Sequence, residues 1–300
     1  MNLLITGAWP EAKVHIPELE AMGHSVAFLQ QERDALPCDP DWVEGVICNG
    51  LFLHHPIESF PNLRFIQLTS VGYDRVDMDY VRERNMEIHN AKGVYSIPMA
   101  EFAVAGVLQL YKQTRYFYEN QKAHRWEKHR GLLELCGKTV TVIGCGSVGT
   151  ECAKRFRAFG CQVIGLNRSD RENETFDAIL PLDRLDEVLP KTDILILAIA
   201  LTPETTHLLD RRRLGLLPHT AVVVNVSRGK VLDEIALREL LEADKLYGAV
   251  LDVFENEPLP ESDPLWDAPN VIITPHNSFV GSSNVLRLTK RIIRNLKGLS

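Results

Sequence analysis

The sequence predicts an α/β protein made of two units, each with a mainly parallel sheet. Three observations predict it. The chain has 300 residues, a two-domain length at roughly 150 residues per domain. Short β-type runs alternate with segments of helical spacing, the pattern of βαβ units. The runs Ile194–Ile199 and Ala221–Val226 are apolar apart from Asn225, as the central strands of a sheet covered on both faces are.

In the first ninety residues the strand-type runs are Leu3–Ile5, Val26–Leu29, Val46–Cys48, Phe65–Leu68 and Glu87–His89. Val14, Leu19 and Met22 lie between the first two at helical spacing, and residues 40–64, with several Pro and Gly, are the least regular part. A long helix is predicted from about Ser96 to Asn120. Ser96 can cap it, and Pro98 in the first turn needs no donor there. Ala100, Ala103, Val104, Val107, Leu108 and Tyr111 recur along it, an apolar surface wide enough for burial in a core or between subunits. The stretch KAHRWEKHRG (122–131) reads as a solvated surface around Trp126. From Lys138 the alternation resumes, with a strand at Thr139–Ile143, a helix at Val148–Phe159 and a strand at Gln162–Leu166. The two apolar strands follow, then Tyr247–Val253 and Val271–Thr274. Val285, Leu288, Ile292 and Leu296 define a last amphipathic helix. The boundary between the units is predicted near 92–96.

Composition narrows the class. Lys and Arg number 33 against 40 Asp and Glu, a net charge of −7, which argues against a nucleic-acid binder and against adsorption to an anionic membrane. Hydrophobic content of 45% and charged content of 24% are those of an ordinary globular protein. The longest apolar run, Ile194–Leu201, is too short to span a bilayer. The start, MNLLITGAWPE, has no basic n-region and breaks at Trp9-Pro10, so it does not read as a signal peptide. Six cysteines, at 38, 48, 136, 145, 152 and 161, form no CxxC and pair with no His at metal-ligand spacing. Reduced thiols, a cytoplasmic location and no metal are the expectation.

Residues 139–149 read TVTVIGCGSVG, which is Gly144-x-Gly146-x-x-Gly149 directly after a strand and opening a helix. That context separates a dinucleotide loop from a chance GxGxxG. Gly144 permits the tight turn, Gly146 the approach of a pyrophosphate, and Gly149 close packing of helix on strand. The helix N-terminus at Ser147 and Val148 offers unpaired N–H groups to phosphate. After the second strand, where NAD sites usually carry Asp or Glu, stand Asn167, Arg168 and Ser169. Arg and Ser can bind a 2′-phosphate that a carboxylate would repel, so NADP(H) is favoured over NAD(H). The alternative is that Asp170 or a backbone group serves NAD while Arg168 stacks on adenine.

Three later segments place isolated polar residues at the ends of apolar strands, where open α/β sheets bind ligands. They are VVVNVSRG (222–229), LDVFENEPL (251–259) and IITPHN (272–277). Taken alone, Arg228 is either a surface charge or a guanidinium for a carboxylate, and His276 is either structural or catalytic.

Taken together, GCGSVG, VNVSRG, LDVFENEPLP and TPHNS resemble the D-2-hydroxyacid dehydrogenases (the D-isomer specific 2-hydroxyacid dehydrogenase family) in order and spacing. QLTSVGYDRVD (67–77), GVYSIPMAEFAV (93–104) and RWEKHRGLLELCGKTVTVIG (125–144) resemble that family's carboxylate loop, interdomain helix and approach to the cofactor domain. The resemblance runs from about residue 45 to 277. It implies two doubly wound parallel-sheet domains. A Rossmann-type cofactor domain, 93–277, would be inserted in a flavodoxin-like substrate domain formed by 1–92 and a returning C-terminal helix, 278–300, with a cleft that closes on substrate.

The resemblance also implies roles by position. Hydride from NAD(P)H would reach C2 of a small 2-keto acid. Arg228 would bind its carboxylate and carbonyl oxygen. His276 would protonate that oxygen, assisted by Glu257. The N–H groups of Val71 and Gly72 would hold the carboxylate. Asp252, Ile199, Ala200, Val226, Ser227 and His276 would lie beside the cofactor. A ketone receiving hydride builds negative charge on oxygen, which a neighbouring imidazolium neutralises by giving a proton. A carboxylate touching an imidazole favours its charged form, and a fixed guanidinium stabilises the developing oxyanion.

Some positions depart from the family. Leu51 and Phe52, in a region that helps line its substrate pocket, point to a small or apolar substituent, and Phe279 would narrow the pocket. His54 and His55 read as solvated. Trp126 matches an aromatic that in some relatives reaches the partner subunit, and the 96–120 helix would form a homodimer interface. Two alternatives stand: formate- or phosphite-type oxidation on the same catalytic set, and a non-catalytic, dinucleotide-sensing corepressor-like binding protein.

Overall fold

A computed structural model describes residues 1–168 and 173–298. The chain divides into two compact units, Met1–Tyr95 with Gly281–Ser300, and Ser96–Val280.

The first unit is built from β1 (Asn2–Thr6), α1 (Ala12–Ala21), β2 (Ser25–Leu29), β3 (Gly45–Cys48), β4 (Phe65–Leu68), α2 (Met78–Glu83) and β5 (Glu87–His89). Its strands form one parallel sheet in the order β2-β1-β3-β4-β5. The pleat sends alternate side chains to opposite faces. Leu4, Val46 and Ile66 join one apolar cluster, while Leu3, Ile5, Ile47 and Phe65 join the other. The second cluster is completed from the far end of the chain by α9 (Asn284–Lys297), through Leu288, Ile292 and Leu296. Trp9, fully buried, donates its indole N–H to the Thr289 hydroxyl at 2.9 Å. Sequence periodicity does not say which unit α9 packs on. The answer lies in this shared cluster.

The second unit opens with α3 (Ser96–Tyr111) and α4 (Thr114–Lys122). It continues with β6 (Thr139–Ile143), α5 (Ser147–Ala158), β7 (Gln162–Asn167), β8 (Ala178–Pro181), α6 (Leu185–Val188) and β9 (Ile194–Leu197). It ends with α7 (Arg211–Leu214), β10 (Val222–Asn225), α8 (Glu234–Glu242), β11 (Gly248–Leu251) and β12 (Val271–Ile273). All strands are parallel, in the order β12-β11-β10-β9-β6-β7-β8. Ile194 and Ile196 face one cluster while Leu195 and Leu197 face the other, so both faces are covered.

Two expectations change, and the wide apolar face of the 96–120 stretch takes the first of its two expected forms, burial in a core. The helix predicted over 96–120 is two helices, because Gln113 takes a left-handed backbone (φ 51) and its side chain donates to Leu110 O and to the Tyr247 hydroxyl. The broad apolar surface of α3 is buried inside its own unit: Ala100, Ala103, Val107 and Tyr111 are fully covered, and Gly106 packs so closely that a Cβ would lie 2.5 Å from Val250 Cγ1. Its breadth therefore needs no second subunit to explain it. Val14, placed on a buried helix face by its spacing, is 75% exposed, and Ala12 and Leu19 carry the packing of α1.

Ile292→Ala removes a fully buried side chain from the cluster that joins α9 to the first sheet. Chemical denaturation is expected to show a loss of about 2–5 kcal/mol. Val14→Ala, on the exposed side of α1, is expected to stay within about 0.5 kcal/mol.

Candidate active site

A parallel sheet brings the carboxyl ends of all its strands to one edge. In the second unit the register makes those ends level: Ile143 pairs with Leu197, Leu197 with Asn225, Asn225 with Leu251 and Leu251 with Ile273. The loops after β6, β9, β10, β11 and β12 therefore leave the same edge. The strand order reverses between β6 and β9, which is where such sheets bind ligands.

The loop after β6 is the glycine loop. Gly144 has φ +100, and a Cβ there would lie 2.5 Å from Ala198 O at the end of β9. A Cβ on Gly149 would lie 2.0 Å from Gly144 O, whereas one on Gly146 would meet nothing within 4 Å. Two glycines thus close the loop on itself and the third leaves a face open. Gly146 is the N-cap of α5, and no side chain caps the helix. The N–H groups of Ser147, Val148 and Gly149 are left directed at that face. These features fit a dinucleotide pyrophosphate. The Cys145 thiol is turned away against Gly165 and Phe176, and burial pushes it up to about 11.

At the end of β7, Asn167 is half-buried and Arg168 exposed. Ser169, like Asp170, lies outside the described residues. The Glu204 carboxyl is held below its ordinary range chiefly by the Thr202 side chain, and Arg168 contributes to this. After β9, Ile199 is half-buried, and the Ala200 carbonyl accepts the Thr205 hydroxyl at 2.8 Å.

The turn after β10 is organised by Asn225, fully buried although polar. Its Oδ1 accepts from the Ser227 N–H at 3.0 Å and from the Ser227 hydroxyl at 2.8 Å, and its Nδ2 donates to Arg228 O at 3.0 Å. Val226 and Ser227 are buried, and half-buried Arg228 stands beyond them with Nη1 on Ser227 O at 2.8 Å.

Two loops meet after β11 and β12. Asp252 is fully buried, and its carboxylate accepts from the Thr274 hydroxyl (2.5 Å), the Asn277 N–H (2.7 Å) and the Ser278 N–H (2.9 Å). The His276 N–H in turn donates to Asp252 O at 2.8 Å. His276 sits in the middle of this grip with φ 50, a conformation a non-glycine residue adopts only when its surroundings hold it there. Its Nδ1 is 2.8 Å from Glu257 Oε2, while Glu257 Oε1 accepts the Phe254 N–H at 3.0 Å. Among the described residues Nε2 has no protein partner, and the imidazole packs edge-on to Phe279. An imidazole held at one nitrogen by a carboxylate and free at the other is built to move a proton at the free one.

Val71 and Gly72 belong to the first unit, in the loop after β4. The Asn90 side chain holds Val71 O at 2.6 Å and the Ser70 hydroxyl donates to Gly72 O at 3.2 Å. Among the described residues neither Val71 nor Gly72 has its N–H bonded to protein. The segment after β3 differs from its sequence reading. Leu51 is fully buried in the core of this unit and Phe52 packs edge-on to Phe60, so their apolar character is accounted for by packing. His55 Nε2 pairs with Asp34 O at 3.0 Å, and His54 is exposed.

Sequence reasoning missed Asn225, whose one signal was a polar residue inside an apolar run. It also missed Glu32, whose carboxylate collects the Thr6 hydroxyl and the N–H groups of Asn49 and Gly50 at 2.6–2.8 Å. Among the described residues no group of three or more His, Cys, Asp or Glu is placed to hold a metal ion, and no helix is long and apolar enough to cross a membrane.

Known proteins resemble this chain in sequence and fold. Residues 104–278 match the family model of the D-isomer specific 2-hydroxyacid dehydrogenase, NAD binding domain. A glyoxylate reductase of Korarchaeum cryptofilum is 32% identical over 247 residues, spanning 80% of this chain and 74% of that protein. The crystal structure of a D-isomer specific 2-hydroxyacid dehydrogenase family protein from Aeromonas salmonicida superposes with a TM-score of 0.83 at 28% identity, over 99% of this chain and 96% of that one. An NADPH-dependent glyoxylate/hydroxypyruvate reductase from Sinorhizobium meliloti gives 0.79 at 27% identity, over 99% and 93%.

Gly149→Ala would press a methyl group into the Gly144 carbonyl. Titration of nucleotide fluorescence is expected to show reduced-dinucleotide affinity lowered about tenfold or more.

Proposed function

The chain belongs to the D-isomer specific 2-hydroxyacid dehydrogenase family, NAD(P)-dependent oxidoreductases acting on small 2-hydroxy acids, and we propose that it reduces the C2 carbonyl of a small 2-keto acid with His276 as the proton donor. The observation that carries this reading is the Glu257–His276 pair with its free Nε2, on the same sheet edge as Arg228 and the glycine loop. Gly144, Gly146, Ser147, Val148 and Gly149 would hold the pyrophosphate. Val226, Ser227, Ile199 and Ala200 would line the path to the nicotinamide, with Asp252 at its far end. A bound reduced nicotinamide supplies the hydride.

The chain's own residues do the rest. Arg228 binds the carboxylate and carbonyl oxygen and stabilises the negative charge that grows on that oxygen. His276 gives its Nε2 proton to the same oxygen, and Glu257 at Nδ1 stabilises the charged imidazole before the transfer. Arg228, already leaning on Ser227 O, loses little side-chain freedom when substrate arrives.

NADP(H) is the proposed cofactor, because a guanidinium at Arg168 stands where NAD-specific sites place a carboxylate. Glyoxylate and hydroxypyruvate are the first substrates to try, since relatives bear those names. A homodimer is also proposed. Tyr118 and Trp126 are exposed by 56% and 97% on α4 and just beyond it, a surface that a second copy would cover. Light scattering should then report twice the chain mass.

His276→Ala and Arg228→Ala are each expected to lower kcat by at least ~100-fold. Near-wild-type turnover in either would remove its assigned role. In an absorbance assay of nicotinamide oxidation against a panel of 2-keto acids, kcat/KM with NADPH is expected to exceed that with NADH. The reverse order would overturn the assignment of Arg168.

A further inference from the structure

The turn that carries Glu257 has no regular structure of its own. Residues Phe254–Glu257 lie outside every strand and helix, yet they present a carboxylate to His276 at 2.8 Å. Two neighbours grip the Phe254–Glu255 peptide. On one side Gly229, next to Arg228, lies so close that a Cβ would fall 1.9 Å from the Phe254 carbonyl carbon and 2.2 Å from Glu255 N. On the other, Glu234, the first residue of α8, accepts the Glu255 N–H on Oε1 at 2.8 Å.

We propose that Glu234 is a positioning residue for proton transfer. Its carboxyl pins the Glu255 N–H and so fixes the turn that holds Glu257 against His276. This rests on the reading of His276 as the proton donor.

Glu234 is half-buried, and the ionisable groups around it are mostly of its own sign. Glu255 and Glu257 face it from the turn, and Asp263 faces it from the segment that follows. Glu255 is itself paired with His207 Nε2 at 2.9 Å, and Glu257 with His276. Asp233, the N-cap just before α8, is engaged in accepting the Ala236 N–H. Burial first, then these three carboxylates, push the Glu234 carboxyl up to about 7, against the pull of the Glu255 N–H. The group therefore changes charge near neutrality. Below that point its carbonyl oxygen still accepts the Glu255 N–H. Above it the hydrogen bond becomes charge-assisted, but a further carboxylate is added to the cluster. The folded value lies above the ordinary 4.5, so the stabilising contribution is complete below about 4.5 and is lost as pH rises through about 7.

Glu234→Gln keeps the acceptor without the charge, and Glu234→Ala removes both. The test measures kcat, KM, reduced-nucleotide affinity and Tm from pH 5.5 to 8 for both variants, with His276→Ala as reference. At pH 5.5 the Gln variant is expected within about threefold of wild-type kcat and the Ala variant about 10- to 100-fold below it, with nucleotide affinity unchanged. At pH 8 the Gln variant should melt about 2–4 °C above wild type, a gain that disappears at pH 5.5. If the Ala variant does not fold, the Gln variant carries the test alone, and a tenfold or larger loss of its kcat at pH 5.5 overturns the proposal. So does an Ala variant that keeps wild-type kcat, or one whose loss lies wholly in Tm or nucleotide affinity, while His276→Ala is inactive. An active His276→Ala instead overturns the reading on which this proposal rests.

Discussion

The buried carboxylate of Asp252 is the interaction on which the rest of the site depends. A charge without exposure is tolerated only where donors surround it. Here Thr274, Asn277 and Ser278 supply them from the loop after the neighbouring strand. Those three bonds, with the His276 N–H on the Asp252 carbonyl, tie the β11 and β12 loops together at the sheet edge. They also explain how His276 holds a left-handed backbone. The loop is determined from both sides, so the imbalance at one residue is carried by its neighbours.

From that anchor the site extends across the edge in one direction. Glu257 reaches His276 from the β11 loop, and its turn is clamped between Gly229 and Glu234. Gly229 follows Arg228, so the Arg228 turn packs backbone on backbone against the turn that carries Glu257. Asn225 sets the other side of the Arg228 turn through three hydrogen bonds. The glycine loop lies beyond, after β6. Asp252, Asn225 and Glu234, each fully or partly buried, thus do much of the placing through their hydrogen bonds.

Much of this was legible in the sequence because it rests on local rules. Thr139–Ile143, Phe65–Leu68 and Glu87–His89 are strands at the residues their β-type character marks. The glycine loop was legible because its strand and helix are contiguous with it. The break at Gln113 was not, since no Gly or Pro marks it and the stabilising partner, Tyr247, is distant in sequence. The edge strand β8 has little signature in sequence, being only four residues long and ending in Pro181. Leu51 and Phe52 belong to the core, and nothing in sequence separates apolar residues near a site from apolar residues in a core. Glu234 and Gly229 could not be singled out at all, because each acts on a peptide some twenty or more positions away.

The most direct measurement is a crystal structure with NADPH and oxamate, an unreactive mimic of a 2-keto acid. The account predicts one oxamate oxygen within about 3.2 Å of both His276 Nε2 and the Arg228 guanidinium, with Glu257 still on Nδ1. An oxamate bound with neither side chain on the same oxygen would contradict it.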